Sequence, residues 1–309
     1  MFTRRQHLMT LAAVAAAGCA IAAQAQSDTV KIGVILPMTG PFASTGKQID
    51  AAIKLWLAQN GAKAGGKKIE VIVKDDAGVA DTTRRLAQEM VVNDKVVALA
   101  GFGLTPLALA TAPIATQSKT PMVVMAAATS MITEASPYIV RTSFTLPQAA
   151  VGMSEWATKN GIRKVVTLVT DFGPGNDAEK FFAERLVLNG GKILDKLRTP
   201  LRSPDFAPVL QKVRDVAPEA LFVFLPSGQG AQFMKQFGER GLDKAGIRLI
   251  ATGDVTDDDL LNDMGDVAVG VVNAHLYSAH HNSPANKKYV EAFQAANKFR
   301  PQLHVGRGL

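Results

Sequence analysis

The sequence predicts an α/β protein of two doubly wound, Rossmann-like lobes with a ligand cleft between them. Three observations predict it. Apolar strand-like runs alternate with helical patterns almost to the end of the 309-residue chain, as in parallel sheets built from right-handed β-α-β units. The alternation falls into two blocks that meet near residues 141–145. The chain is also long enough for two domains that each bury a core. Ligands in such folds sit beyond the carboxyl ends of the strands, so the strand-to-helix loops are where function should lie.

In the first block, residues 31–36 form an apolar strand that runs into a Gly/Pro turn and then an amphipathic helix. Strand 69–73 and a helix over 82–93 follow, then strand 96–100, a helix over 106–118 and strand 121–125. Pro106 stands at a first helical position behind Thr105, and Asn160-Gly161 marks a helix stop. The second block holds a helix with Trp156, strand 164–169 and a helix carrying Phe181, Phe182 and Leu186. Strands at 193–197, 220–224, 248–250 and 269–273 complete it. The domain reading is therefore lobe 1 over 26–143, lobe 2 over 144–274, and a segment 275–309 returning to lobe 1.

Residues 1–25 read as a secretory leader: Arg4-Arg5, an apolar core from Leu8 to Ala23, and Ala23-Gln24-Ala25 as an A-x-A cleavage site. Residues 3–8 also resemble a twin-arginine signal. Cys19, behind Ala17-Gly18, offers a lipoprotein alternative, but Ala16 stands where leucine is expected. A-x-A cleavage is preferred and leaves a mature chain without cysteine, hence without disulfides or thiolate metal sites. The net charge is +7; without Arg4 and Arg5, 32 basic residues face 27 acidic ones. That excess is scattered, with no basic run longer than Lys67-Lys68 or Arg84-Arg85, and argues against nucleic-acid binding. Beyond the leader no apolar run reaches transmembrane length.

Two loops carry the chemistry of the first lobe. Gly101-Phe-Gly-Leu-Thr105-Pro106 lets backbone approach a ligand, and Thr105 can cap its own helix or offer its hydroxyl to a carboxylate. It is neither a dinucleotide fingerprint nor a Walker loop. Ala126-Ala-Ala-Thr129-Ser130 combines small residues with hydroxyls, and Thr129 has the same two readings. His275, His280 and His281 lack acidic or cysteine partners at metal-ligand spacing, so no metal or cofactor is expected. Asp75-Asp76 keeps a paired-carboxylate hydrolase open as the weakest reading, next to a solvated or capping role.

The spacing of Gly40-Pro-Phe-Ala-Ser-Thr-Gly46, Asp75-Asp76, the 101–106 turn, Ala127-Ala-Thr-Ser130 and Arg141-Thr-Ser143 resembles the periplasmic leucine/isoleucine/valine-binding family, the type I solute-binding proteins of ABC transporters. The resemblance spans about residues 30–300. It implies that Thr105, Ala127, Ala128 and Thr129 bind a ligand carboxylate, and that Phe172, in Asp171-Phe-Gly-Pro-Gly175, is an aromatic wall. Phe172 equally reads as a helix-start contact. Thr252-Gly253-Asp254 matches the loop whose acidic residue pairs with a ligand ammonium; Asp254 also reads as a first-turn carboxylate ahead of Asp257-Asp-Asp259. Tyr277 is a further cleft aromatic on this resemblance.

The family pattern breaks at Phe299-Arg-Pro301-Gln-Leu-His-Val-Gly-Arg-Gly-Leu309, so the last strands and helices are expected to be missing. One base dropped from a suitable coding of Pro301 onward gives Pro-Asn-Phe-Met-Ser-Val-Gly-Gly-Tyr, so a frameshift is one reading of the break. The resulting expectation is an exported, non-enzymatic periplasmic component of an ABC importer. It would bind a branched-chain amino acid or related carboxylate and deliver it to a membrane permease. An aromatic or aliphatic carboxylate binder and a ligand-sensing receptor domain are the alternatives.

Overall fold

A computed structural model describes residues 29–257, 260–302 and 304; the leader, Cys19 and residues 305–309 lie outside that range. Strand β1 (Thr29–Leu36) leads into helix α1 (Ala43–Asn60). A short β2 (Lys63–Ala64) and β3 (Lys67–Asp75) follow, then α2 (Ala80–Glu89), β4 (Ala98–Gly101), α3 (Thr105–Ser118), β5 (Met122–Val124) and β6 (Ile139–Arg141). These strands form one sheet in the order β2-β3-β1-β4-β5-β6, parallel except for the β2–β3 hairpin.

The chain then crosses to α4 (Leu146–Lys159), whose start carries a capping box: Thr145 with Gln148. After it come β7 (Lys164–Thr170), α5 (Gly173–Leu188), β8 (Lys192–Thr199), α6 (Ala207–Val216), β9 (Ala220–Phe224), α7 (Gly230–Glu239), β10 (Arg248–Thr252), α8 (Leu261–Met264) and β11 (Val272–Ala274). They build a parallel sheet ordered β11-β10-β9-β7-β8. Finally α9 (Pro284–Asn297) returns to the first lobe, where Phe293 packs on Ala51 and Leu55 of α1.

The elements follow the expected order, with three local departures. The 82–93 helix is α2 extended by one π-helical turn, Met90–Asp94, tied to β3 by Lys74 bonds to Glu89 and Asp94. The 269–273 strand contributes only its second half, because a 3-10 turn, Gly265–Ala268, occupies the residues just before it. Asp257 follows a 3-10 turn over Gly253–Thr256 rather than opening a helix, and Asp254 is the first-turn carboxylate of that 3-10 turn; Asp258 and Asp259 lie outside the described residues.

In each sheet the chain steps first to one side and then to the other, which creates a switch point between β1 and β4 and another between β7 and β9. Adjacent loops diverge at such a point and leave a crevice at the strand ends. The two crevices face each other, and that apposition forms the cleft.

Candidate functional site

The cleft is lined from both sides by strand-end loops. Gly103, Leu104 and Thr105 follow β4, and Ala126, Ala127 and Ala128 follow β5. From the other lobe come Phe172 and Pro174 after β7, Phe224, Pro226 and Ser227 at the end of β9, and Asp254 after β10. Phe144 and Leu146 enter from the crossing segment, and Thr45 and His304 complete the lining.

The β4 loop is shaped by backbone constraints. Gly101 adopts φ +111, and a Cβ there would overlap the carbonyl oxygen of Ile35, so only glycine permits the turn. Thr105 is the first helical residue rather than the cap, and its hydroxyl meets that of Thr129 at 2.7 Å, both groups buried. Neither threonine caps its own helix through the side chain. The capping alternatives are thereby replaced by a hydroxyl pair joining the two loops. Arg141 pins this end, bonding the carbonyls of Thr129 (2.5 Å) and Phe144 (3.2 Å). Burial lowers its pKa below the ordinary arginine value. The Ala127 N–H donates to the carbonyl of Phe102, and the Ala128 carbonyl accepts from Leu146.

At the opposite end sits Asp254, 7% exposed. Thr252 Oγ1 lies 3.4 Å from its carboxylate and His275 Nε2 4.0 Å. Burial pushes the Asp254 carboxyl up from 3.8 to about 7, against the downward pull of the Thr252 and Ser227 hydroxyls. His275 packs edge-on against Phe144 with ring centroids 4.4 Å apart, and it would collide with any side chain at position 253. Between the two ends the walls are aromatic: Phe172 stacks on Phe224 at 6.0 Å, with Phe144 beside them.

The lobes are closed on each other. Asp177 accepts from the Ser130 N–H at 2.8 Å, and Arg202 donates to the Gly78 carbonyl at 2.7 Å. A Cβ on Gly173 would stand 2.6 Å from Thr129 Oγ1, so glycine is what lets α5 approach the first lobe. The free volume in the closed cleft is about 30 Å³.

Of the residues singled out in the sequence, the structure brings Thr105, Ala127, Ala128, Thr129, Phe172 and Asp254 together. It does not bring Tyr277 there: that ring packs near Ala51, Leu55 and Phe293. Phe144, Phe224, Ser227, His275 and His304 had not been singled out for the cleft. Phe224 and Ser227 follow a strand end, the same signal that located the other loops. Asp75 and Asp76 do not form a catalytic pair. Asp75 accepts from the Met38 and Ala77 amides and the Thr39 hydroxyl, while buried Asp76 holds the Gly78 amide and the Thr83 hydroxyl at the start of α2.

The family model for "periplasmic binding protein" matches residues 29–307. The chain belongs to this family. Its members are non-enzymatic solute-binding proteins, and no helix among the described residues is long and apolar enough to cross a membrane. A curated relative, Leu/Ile/Val-binding protein homolog 6 of Brucella abortus, is 43% identical over 278 residues, covering 89% of this chain and 71% of the relative. The solute-binding protein of an ABC transporter from Rhodopseudomonas palustris BisB5, solved with 3,4-dihydroxybenzoic acid, is 60% identical with a TM-score of 0.88. That match covers 91% of this chain and 78% of the other. Another R. palustris solute-binding protein, solved with 4-hydroxybenzoate, is 38% identical with a TM-score of 0.86, covering 90% and 77%.

Proposed function

We propose that the cleft binds a hydroxylated aromatic carboxylate such as 3,4-dihydroxybenzoate, and that the closed protein presents it to the membrane permease of an ABC importer. The observation that carries this reading is the sequence of chemistries along the cleft. A hydroxyl pair stands at one end, phenylalanine rings flank the middle, and a buried carboxyl whose pKa is about 7 lies at the other. In this reading the solute carboxylate takes bonds from the Thr105 and Thr129 hydroxyls and the Ala128 amide, since the Ala127 amide already serves Phe102. Ala127 lines the apolar wall, and Phe172 and Phe224 stack on the solute ring. Asp254, protonated below pH 7, donates to a ring hydroxyl that sits beside Ser227. The 60% identity to a protein solved with that solute supports the assignment. Removal of the leader near Ala25 would release the protein into the periplasm.

The curated relatives named for leucine, isoleucine and valine favour a second reading, in which Asp254 pairs with a ligand ammonium. Calorimetry at pH 6 in two buffers of different ionisation enthalpy separates the two. An ammonium would drive Asp254 to ionise and expel a proton, whereas a phenol leaves it protonated. Tight 3,4-dihydroxybenzoate binding with buffer-independent heat is expected. Tight leucine binding with proton release would replace the aromatic reading by the amino-acid one.

A further inference from the structure

His304 sits inside the cleft. Its Nε2 lies 3.0 Å from Ser227 Oγ of lobe 2 and 3.3 Å from Thr45 Oγ1 of lobe 1. Ser227 Oγ also donates to Asp257 Oδ1 at 3.2 Å. The preceding residues are equally embedded: Pro301 and Gln302 are buried, and the Gln302 N–H donates to Gln48 Oε1 of α1 at 3.2 Å. Gln302 thus docks on α1, and His304 places its ring between the lobes.

Space decides what that ring does. The closed cleft leaves about 30 Å³, whereas a protein cavity that takes up benzene measures about 150 Å³. An aromatic solute and the His304 ring compete for the same volume and for the same Ser227 hydroxyl. We propose that His304 is an intramolecular competitor of the solute: its ring plugs the closed cleft by bridging Thr45 and Ser227, and leaves when solute enters. The bridge also holds the lobes together without solute, which makes the plugged form a closed but unproductive state. The inference rests on the cleft being the solute site.

The test is His304→Ala in the full chain, read in two ways. Calorimetry with 3,4-dihydroxybenzoate should give binding about 5- to 10-fold tighter than the parent, the scale of one or two neutral hydrogen bonds. X-ray scattering without solute should give a larger radius of gyration, because the cross-lobe bridge is gone. Unchanged affinity overturns the plug, and weaker binding overturns it by making His304 a solute contact. If neither protein binds 3,4-dihydroxybenzoate or leucine, the proposed function fails instead. Scattering then decides the plug alone: an expanded variant supports it, and an unchanged radius overturns it.

Discussion

The two sheets obey the same β-α-β grammar and are covered differently. In the second, all five residues of β9 are buried, and clusters built on Phe182–Phe222 and on Phe206–Phe233 cover its two faces. In the first, β3 has no buried residue. One face packs on α2 and α3 through Leu86, Ala108 and Ala112, while the other keeps an apolar groove of about 440 Å³ along Ile32, Val34, Val71 and Val123. A strand buried on both faces reads as a continuous apolar run, as Ala-Leu-Phe-Val-Phe of β9 does. Stability should therefore be concentrated in the second lobe and solute recognition shared between them.

The largest effect expected from that asymmetry is at Phe222, which stacks on Phe182 with centroids 4.0 Å apart. Phe222→Ala should cost about 3–5 kcal/mol in urea unfolding. A cost below 1 kcal/mol would erase the distinction between the sheets. Next comes Asp254. Its folded pKa of about 7 lies above the ordinary 3.8, so the folded state holds a proton that the unfolded chain has released between those values. Stability should fall as pH rises from about 4 to 7, by a few kcal/mol, and level off above 7. In Asp254→Asn that slope should vanish, so the difference between the two melting profiles isolates this one group.

At the carboxylate end, Thr105→Val or Thr129→Val should weaken binding of an anionic solute by about ten-fold or more, the scale of a hydrogen bond to a charged group. Titration calorimetry that finds equal affinity for the variants would move the carboxylate elsewhere. Arg202→Ala removes a cross-lobe bond and should weaken every solute alike, by about 3- to 10-fold. A loss that depends on the solute would make Arg202 a contact instead of a latch. The smallest effect belongs to the open face of the first lobe: Val140, 56% exposed, should tolerate serine within about 0.5 kcal/mol.

The elements were legible because each announces itself locally. Apolar runs of strand length stand between helices with Pro at their starts and Gly or Asn at their ends, and the break at 141–145 marks the crossing between lobes. The loops holding Thr105 and Thr129 were found the same way, since small and hydroxyl residues immediately follow strands. Their roles were not legible. Whether Thr105 caps a helix or meets Thr129 depends on the parallel pairing of β4 with β5, which sets the two loops side by side.

By itself, then, the sequence determined the alternation of elements, the two-lobed division and the strand ends at which a solute must sit, because these follow from periodicities of a few residues. Only the tertiary structure decided which distant groups share the cleft. Phe144 and His275 flank Asp254 across more than a hundred positions, Tyr277 turns toward Ala51 and Leu55, and His304 lies between Thr45 and Ser227. Those placements depend on how two sheets face each other across a closed cleft, and no local pattern encodes that distance.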